Sequence, residues 1–576
     1  MDGNPLHSSE RTAILADPAL GLDQRAKLQI LFAVMLGLFL GALDQTIVGP
    51  ALPTVVTQLN GNEYYIWVVT AYLLTSTISI PFWGKLSDLY GRKPMFMIGI
   101  VIFLVGSALS GLSQSMAMLI LFRAIQGIGA GSLFPVALAI IGDLFSPRER
   151  GKYQGLFGAV YGIAFIVGPL VGGFLTQNVS WHWIFYVNIP IGIVSLLVIQ
   201  RLLPTVRTER ATRGFDILGG VIFTVAITLL LLGLTNKGLT DSTTHRLIPW
   251  TDPSVGGLIL ASIGGLVLFI LAEARAKEPI VPLYLFRTRT YSSSMVATFF
   301  ASFAFFGAII FLPRWFQFVH DFSPTASGFA LLPLMVGLIS SSIASGFFVA
   351  RTGRGRGLLV GSLLVMGLAT ALMTQLTAST PLPVLFLWML LAGLGVGPSF
   401  TVFTIVVQNA VPFDLLGVAT ANLTFFRQIG ASVALAIAGT ILSTTFLDQL
   451  GPQLGDAGVP ATVVTGFGHA TTAGLLDVNN LTGVGNLGAS ILAAVPAQVQ
   501  AVLAPFITNI VTGIQEAFSL AVAQTFWMGV AAAIIAAVAA ATIRETALRT
   551  ATRPSAIPRR APGVASEAST GASRAD

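Results

Sequence analysis

Two charged residues lie inside long apolar segments of the sequence and could carry proton chemistry. Asp44 interrupts the apolar run 28–49, and Arg123 interrupts the run 116–141. A charge within a lipid bilayer is costly unless it is paired, so such residues are functional candidates by default. Burial disfavours the ionised carboxylate, whereas a nearby cation favours it. These opposing effects could allow Asp44 to exchange protons near neutral pH.

The positions of the two residues along their helices predict that they meet. At a rise of 1.5 Å per residue, Asp44 lies about 24 Å from the inner end of its helix. Arg123 lies about 10 Å from the outer end of its helix. In a hydrocarbon core of about 30 Å, both residues fall in the outer half at similar depth. We expect a contact that serves proton coupling, with a static ion pair between two helices as the alternative.

The composition indicates the class of protein. Of the 576 residues, 54% are hydrophobic and 10% are charged, whereas soluble proteins carry about 25% charged residues. These values exclude a water-soluble multidomain protein and a disordered chain. The absence of cysteine excludes disulfides, thiolate metal sites and thiol nucleophiles. We expect no metal site, because His320 and His469 have no other metal-type ligands near them in the sequence.

Apolar runs of about 20 residues predict membrane-spanning helices. We count fourteen such runs. They cover residues 28–49, 64–84, 95–113, 116–141, 153–175, 182–201, 216–235, 254–273, 291–312, 326–349, 357–375, 383–406, 422–444 and 518–543. The predicted fold class is therefore an all-α integral membrane protein.

The distribution of basic residues predicts the orientation of the chain. With both termini in the cytoplasm, all but five of the 31 Lys and Arg residues fall in the tails or inner loops, as the positive-inside rule requires. The net charge of +7 is then a topology signal, and we expect no nucleic-acid partner. The first 27 residues are polar and lack the apolar core of a signal peptide, so we expect the first span to direct insertion.

Two inner loops repeat one pattern 262 positions apart. Residues 84–93 and 346–355 both read G-x3-[D/A]-x2-G-R. The shift corresponds to eight spans, which predicts two parallel six-helix halves separated by a two-helix insert, an architecture found in secondary transporters. The predicted units are a cytoplasmic tail 1–27, a six-helix bundle 28–201, a linker insert 202–290, a six-helix bundle 291–543 with a long outer loop 445–517, and a disordered cytoplasmic tail 544–576.

Several further motifs resemble those of the 14-spanner drug:proton antiporters of the major facilitator superfamily. The resemblance covers nearly all of residues 28–545. The motifs are LDQTIV at 43–48, GKLSDLYGRK at 84–93, RAIQGIGA at 123–130, GPLVGG at 168–173, WHWIF at 181–185 followed by Asn188-x-Pro190, and FFRQ at 425–428. The resemblance implies a major facilitator fold with fourteen spans and proton-coupled multidrug efflux.

The resemblance also implies roles for particular residues. Proton coupling falls to Asp44 and Arg123. A conformational latch that holds the outward-facing state falls to Gly84, Asp88, Gly91, Arg92 and Lys93, and the exporter-specific antiporter motif to Gly168, Pro169, Gly172 and Gly173. Because Ala350 replaces the acid in the second loop, we expect a weaker latch there. Topology and helix packing are the alternative explanations of these motifs.

The substrate cavity is predicted between the two halves. Its candidate residues are Gln126, Trp67, Tyr72, Tyr161, Phe165, Phe303 and Phe403. Such an aromatic cavity suits lipophilic compounds. No second acid lies deep in the C-terminal half, so neutral or monocationic substrates are favoured over dications. We interpret Arg427, near the inner end of its span, as snorkelling to the membrane surface.

The predicted protein is an exporter in a bacterial inner or plasma membrane. Its partners are a small lipophilic substrate and the lipid bilayer, and the proton motive force replaces any cofactor. We expect no ATP use, because the sequence lacks a GxxxxGK[ST] loop, no enzymatic activity, and a monomeric state. The alternative is a lipid, glycolipid or secondary-metabolite exporter of the same fold.

Overall fold

The chain folds into a bundle of long α-helices in a computed structural model. The structure describes residues 22–59, 64–204, 216–239, 247–461 and 503–545, with positions 463, 464, 488, 491, 492 and 500. Both predicted tails extend beyond these ranges, so the predicted disorder of 544–576 lies almost entirely outside the described residues.

The long helices are numbered here in chain order. The N-terminal half contains α1 (Gln24–Gln58), α2 (Tyr65–Tyr90), α3 (Arg92–Gly111), α4 (Met116–Leu144), α5 (Pro147–Asn178) and α6 (Asn188–Leu202). The insert contains α7 (Ile217–Lys237) and α8 (Leu258–Glu273). The C-terminal half contains α9 (Arg289–Ile309), α10 (Leu332–Thr352), α11 (Arg356–Met373), α12 (Leu382–Ala410), α13 (Leu416–Asp456) and α14 (Ile507–Ala541). Short helices at Trp183–Tyr186, Leu312–His320 and Pro324–Ala330 connect some of these elements.

Most of the long helices could span a membrane. Among the described residues, 13 helical segments are long and apolar enough to cross a bilayer. Helix α2 is not among the 13, although it occupies the second predicted span and packs against α4 and α13. The membrane class and all-α fold are confirmed, and the fourteenth span and the cytoplasmic termini stay predictions.

Local sequence signals explain where several helices begin and end. Asp23 caps α1 by accepting a hydrogen bond from the Ala26 amide at 2.7 Å, and Ser146 and Glu149 form a capping box at the start of α5. Gly91 and Gly353 terminate α2 and α10 with φ values of 97° and 69°. A residue with a Cβ is strained at positive φ, so both copies of the repeated loop use glycine here, although ψ values of 154° and 1° give the two turns different shapes.

The two-helix insert packs on the seam between the halves. Phe223 of α7 contacts Phe82 of α2 and Phe425 of α13, with ring centroids 6.0 and 5.3 Å apart. Lys85 Nζ forms an ion pair with Glu278 Oε2 at 2.9 Å, which joins the first loop motif to the chain after α8. The insert is therefore anchored to both halves through α2 and α13.

Both ends of the predicted outer loop 445–517 are helical. Helix α13 runs through positions 445–456, and α14 begins at Ile507 rather than 518. The sequence near both junctions keeps apolar residues at helical spacing, and Phe446, Leu450 and Leu454 of α13 are buried. These helices extend beyond the apolar runs that defined the predicted boundaries, and the membrane limits of the two spans stay predictions. Most of 462–502 lies outside the described residues.

Candidate transport site

The predicted contact between Asp44 and Arg123 is confirmed. Arg123 Nη1 lies 2.6 Å from Asp44 Oδ2, and Arg123 is 1% exposed and Asp44 0%. Gln126 completes a closed triangle, because its Nε2 donates to Asp44 Oδ1 at 2.8 Å and its Oε1 accepts from Arg123 Nη1 at 2.8 Å. Helix α4 places Arg123 and Gln126 one turn apart on one face. Gln126 therefore belongs to this network, which we call the Asp44 cluster.

Two residues without an assigned role extend the Asp44 cluster to α3 and α6. Asn188 Nδ2 lies 3.1 Å from Asp44 Oδ1 and 3.1 Å from Ser107 Oγ, and Ser107 donates to the Phe185 carbonyl oxygen at 2.8 Å. The Arg123 guanidinium carbon also lies 4.1 Å from the ring centroid of Tyr72. The Asn188-x-Pro190 motif was the only sequence signal for the additional donor, and it gave no indication of its target.

The antiporter motif packs directly beside the Asp44 cluster. A Cβ on Gly172 would overlap the carbonyl oxygen of Ile47, and one on Gly168 would lie 2.7 Å from the Cβ of Thr46. Thr46 Oγ1 donates to the Ala164 carbonyl oxygen at 2.9 Å, so α5 holds α1 two residues from Asp44. Gly168 and Gly172 therefore allow α5 to approach α1 closely. Gly173 instead faces Thr325 at 4.0 Å.

The first loop motif joins the two halves of the protein. Asp88 at the end of α2 accepts hydrogen bonds from the amides of Gly417 and Val418, at 3.0 and 2.7 Å, where α13 begins. This is the site where a helix N-terminus favours a negative charge. Arg92 pairs with Asp88 and with Asp143, whose Oδ2 lies 2.9 Å from Arg92 Nε. Lys93 Nζ contacts the Gln200 carbonyl oxygen at 2.6 Å.

A second contact between the halves uses the repeated loop and has no carboxylate. A Cβ on Gly346 of α10 would overlap the carbonyl oxygen of Gly151 on α5, just as one on Gly84 would lie 2.8 Å from the Gly417 oxygen. The two helix pairs, α2 with α13 and α10 with α5, are equivalent under the internal repeat. Only in the first pair does a carboxylate of one half contact the helix N-terminus of the other half, because Ala350 occupies the position equivalent to Asp88.

A cavity of about 40 Å³ lies between the halves, beside the Asp44 cluster. Tyr72 and Tyr161 line it, as predicted. The other lining residues include Gln45, Phe134, Thr424 and Gln428. Drug-sized ligands occupy pockets of roughly 300–1,000 Å³, so this conformation is closed around its centre and the halves must separate to admit a substrate.

The remaining predicted cavity residues lie elsewhere. Phe403 is 0% exposed in the core of the C-terminal half, between α9, α10 and α13 residues, so the structure does not bring it to the cavity. Phe165 and Phe303 are partly buried against a second C-terminal core cluster, and Trp67 is half-buried on α2. Aromatic content located the apolar spans but did not indicate which way each ring faces.

Arg427 does not snorkel to the membrane surface. Helix α13 begins at Leu416, so Arg427 lies about 16 Å along it, beyond the reach of its own side chain to the helix end. The residue is 8% exposed, and its guanidinium carbon lies 4.6 Å from the Phe400 ring centroid and 5.6 Å from that of Phe134. The interpretation was wrong because the apolar run that defined the span started at 422, too close to Arg427.

Two helical halves that pack around a central cavity, with a buried ion pair beside it, define a membrane transporter. The sequence profile of the Major Facilitator Superfamily matches residues 34–435. The chain is 36% identical over 460 residues to multidrug transporter protein MdtP of Bacillus subtilis strain 168, which covers 79% of this chain and 83% of that protein. This chain belongs to the major facilitator superfamily.

The chain is also similar in sequence to a fungal relative and in fold to a solved structure. The chain is 37% identical over 454 residues to an acurin A biosynthesis cluster MFS-type transporter of Aspergillus aculeatus, covering 77% of this chain and 80% of the relative. The solved structure of the proton:xylose symporter XylE aligns with a TM-score of 0.56 and 13% identity, over 92% of this chain and 99% of that one. The structural likeness establishes the fold alone.

Proposed function

We propose that this protein is a proton-coupled exporter of lipophilic compounds. The observation that carries the proposal is the Asp44 cluster, in which a fully buried carboxylate is paired with Arg123 at 2.6 Å. The names of the relatives, which include a multidrug transporter and fungal efflux pumps, support efflux as the direction. The protein would work as a monomer in a bacterial inner or plasma membrane, with both termini in the cytoplasm and the proton motive force as its energy source.

The coupling step would be the protonation of Asp44. A neutral carboxyl no longer pairs with Arg123, so the guanidinium would lose its counter-charge within the membrane, where an unpaired charge is costly. Arg123 would then shift relative to α1. Because α5 contacts α1 through Gly168 and Gly172, this movement would be transmitted to α5, which also packs against α10 of the other half.

The loop motif would set the balance between the two transport states. Asp88 joins α2 to the start of α13, and Gly84 and Gly346 allow the two inter-half helix pairs to pack closely. Proton binding at Asp44 and release of the Asp88 contact would together allow the halves to rock around the central cavity.

The cargo would be a lipophilic drug or a related metabolite. The sequence alone favours cations or neutral compounds. A secondary-metabolite exporter of the same fold is the second candidate, and the similarity to a transporter of an acurin A biosynthesis cluster favours it. Both candidates share the coupling step, so the test below applies to either.

Transport in proteoliposomes with an imposed pH gradient tests the proposal. We would follow ethidium, dansylamide and 1-naphthaleneacetate, which are an aromatic cation, a neutral amide and an aromatic anion. We expect gradient-driven movement of at least one probe by the unaltered protein and its loss in Asp44→Asn. Asp321→Asn removes an exposed acid and should leave the rate unchanged.

Two outcomes would overturn the proposal. One is that no probe responds to the gradient in the unaltered protein, and the other is that Asp44→Asn transports as well as the unaltered protein does. Because Asp44→Asn leaves Arg123 without a counter-charge, the thermal unfolding midpoint and the probe-binding affinity of the variant must be measured as well. Binding that persists while coupled transport is lost assigns the defect to coupling.

A further inference from the structure

Arg427 is a buried cation that lacks a counter-ion in the described part of the chain. It is 8% exposed on α13, and its Nη2 has no hydrogen-bond partner. The ion pairs present among the described residues do not include it, whereas Arg123, the other buried arginine of the central region, pairs with Asp44. The two arginines differ in this respect.

Aromatic rings compensate only part of the cost of this charge. The guanidinium carbon of Arg427 lies near the rings of Phe400 and Phe134, at 4.6 and 5.6 Å. A desolvated cation–π contact recovers less free energy than a buried ion without a counter-charge costs. The rings also accept none of the guanidinium's directional hydrogen bonds. An anion at this position would supply both the missing charge and an acceptor.

The rings around Arg427 connect it to the wall of the central cavity. Phe134 and Tyr161 line the cavity, with their ring centroids 5.6 Å apart, and Tyr161 lies 6.4 Å from Phe400. Thr424 and Gln428, on either side of Arg427 along α13, also line it. The rings come from α4, α5 and α12, so this cluster includes both halves. Movement of the halves would change how these rings cover the guanidinium.

The charges near the cavity favour a negative ligand. Of the described residues that line it, none is acidic. Asp44 lies close by, but Arg123 already neutralises its charge. The Asp44 carboxylate also accepts hydrogen bonds from Gln126 and Asn188. Arg427 is therefore the uncompensated charge in this region of the described structure, and its sign disfavours a cationic ligand.

We propose that the transported substrate is an amphipathic aromatic anion, such as an aryl carboxylate, whose charge binds Arg427. The rings of Phe134, Tyr161 and Phe400 would contact its aromatic part. Carboxylates match the planar fork of a guanidinium with two parallel hydrogen bonds. The inference rests on the proposed function, since it takes the central cavity as the transport site, and it replaces the sequence-based expectation of a cationic or neutral cargo.

Binding of a matched pair of probes tests the proposal. Purified full-length protein in detergent, without a pH gradient, would be titrated with tritiated 1-naphthaleneacetate and with tritiated 1-naphthylmethylammonium. The two probes share a ring system and differ in charge. We expect the unaltered protein to bind the anion at least tenfold more tightly than the cation. Equal affinities, or tighter binding of the cation, would overturn the proposal without any variant.

Variants of Arg427 separate a binding role from a purely structural one. In Arg427→Gln, the anion should bind at least tenfold more weakly while the affinity for the cation stays equal or rises. Arg427→Lys keeps the charge and should retain part of the anion affinity, and Arg201→Gln, at an exposed cation near the end of α6, should change neither. Unchanged anion binding in Arg427→Gln, or an equal loss for both probes, would refute the assignment.

The design distinguishes this inference from the proposed function. Charge preference is measured at equilibrium, so it can fail while gradient-driven transport of a cation or a neutral probe succeeds, and then only the substrate class is wrong. If the anion binds through Arg427 but no probe responds to a pH gradient, proton coupling is wrong and the substrate class is retained. A variant that does not fold is replaced by Arg427→Lys, which keeps the buried cation.

Discussion

Replacement of Asp88 by asparagine should weaken the contact that closes one end of the transporter. The Asp88 carboxylate accepts the Gly417 and Val418 amides at 3.0 and 2.7 Å and also pairs with Arg92. Asparagine has a similar volume but carries no charge, and only one of its two terminal atoms can accept a hydrogen bond. Asp88→Asn therefore loses one bond to the start of α13 and the charge that this helix end favours.

The size of the effect follows from these contacts. A hydrogen bond to a charged group contributes about 1.5–3 kcal/mol, and Asp88→Asn removes one such bond while weakening the other. We take about 2 kcal/mol as the net loss for the closed state, which corresponds to a shift of roughly 30-fold in the equilibrium between closed and open states. A state that was rare in the unaltered protein would then become measurable.

Spin-label distances can measure this shift directly, because the sequence has no cysteine. Labels at Tyr90→Cys and Arg351→Cys lie on exposed residues near the two repeated loops, one in each half. Double electron–electron resonance should show one main distance in the parent protein and an additional longer distance in Asp88→Asn. The matched control is Asp143→Asn, because Asp143 also pairs with Arg92 but forms no hydrogen bond to α13 among the described residues.

A longer distance in Asp88→Asn but not in Asp143→Asn would support a contact that controls the transport state. An unchanged distance distribution in Asp88→Asn would refute the reasoning, and so would an equal change in both variants. Thermal unfolding of each variant shows whether the effect is on conformation or on folding, since a general loss of stability would lower the midpoint without selecting a longer distance.

Two further changes test how the helices are held together. Gly172→Ala should lower the stability of the protein by about 1–3 kcal/mol, because the added Cβ would overlap the Ile47 carbonyl oxygen. Gly173→Ala is the control and should not lower it, because the nearest contact of its Cβ would be Thr325 at 4.0 Å. Thermal unfolding of the two alanine variants tests this difference. Breaking the Lys85–Glu278 pair at 2.9 Å with Lys85→Gln should cost up to about 3 kcal/mol. The neighbouring exposed Lys277→Gln is the control, and a double-mutant cycle with Glu278→Gln that shows no coupling would contradict docking of the insert through this pair.

Much of the fold could be predicted from the sequence because the bilayer imposes a simple requirement on it. Each span must be apolar over about 20 residues, so span positions and the depth of a residue can be read from the chain. The similar depth of Asp44 and Arg123 in their helices was enough to predict that the two residues are in contact. The repeated loop likewise predicted two equivalent halves, and Gly91 and Gly353 end α2 and α10 at equivalent positions with positive φ.

The error at Arg427 shows where this reasoning stops. Its depth was misjudged by only a few residues, since α13 begins at Leu416 rather than 422, but that difference separates a membrane-surface residue from a buried one. Phe403 was misplaced for another reason. Its depth is compatible with the cavity, yet its side chain is 0% exposed within the C-terminal core.

The sequence by itself determined which segments enter the membrane, the two-half repeat and the pairing of the buried acid with a base. Hydropathy and helix rise give the depth of each residue in the bilayer, and this depth depends only on the sequence of the residue's own helix. Only the tertiary structure decided that Asn188 donates to Asp44 and that Asp88 contacts the start of α13. It also decided that aromatic rings from both halves surround Arg427. Which face a helix presents, and to which neighbour, depends on packing between segments far apart in the chain.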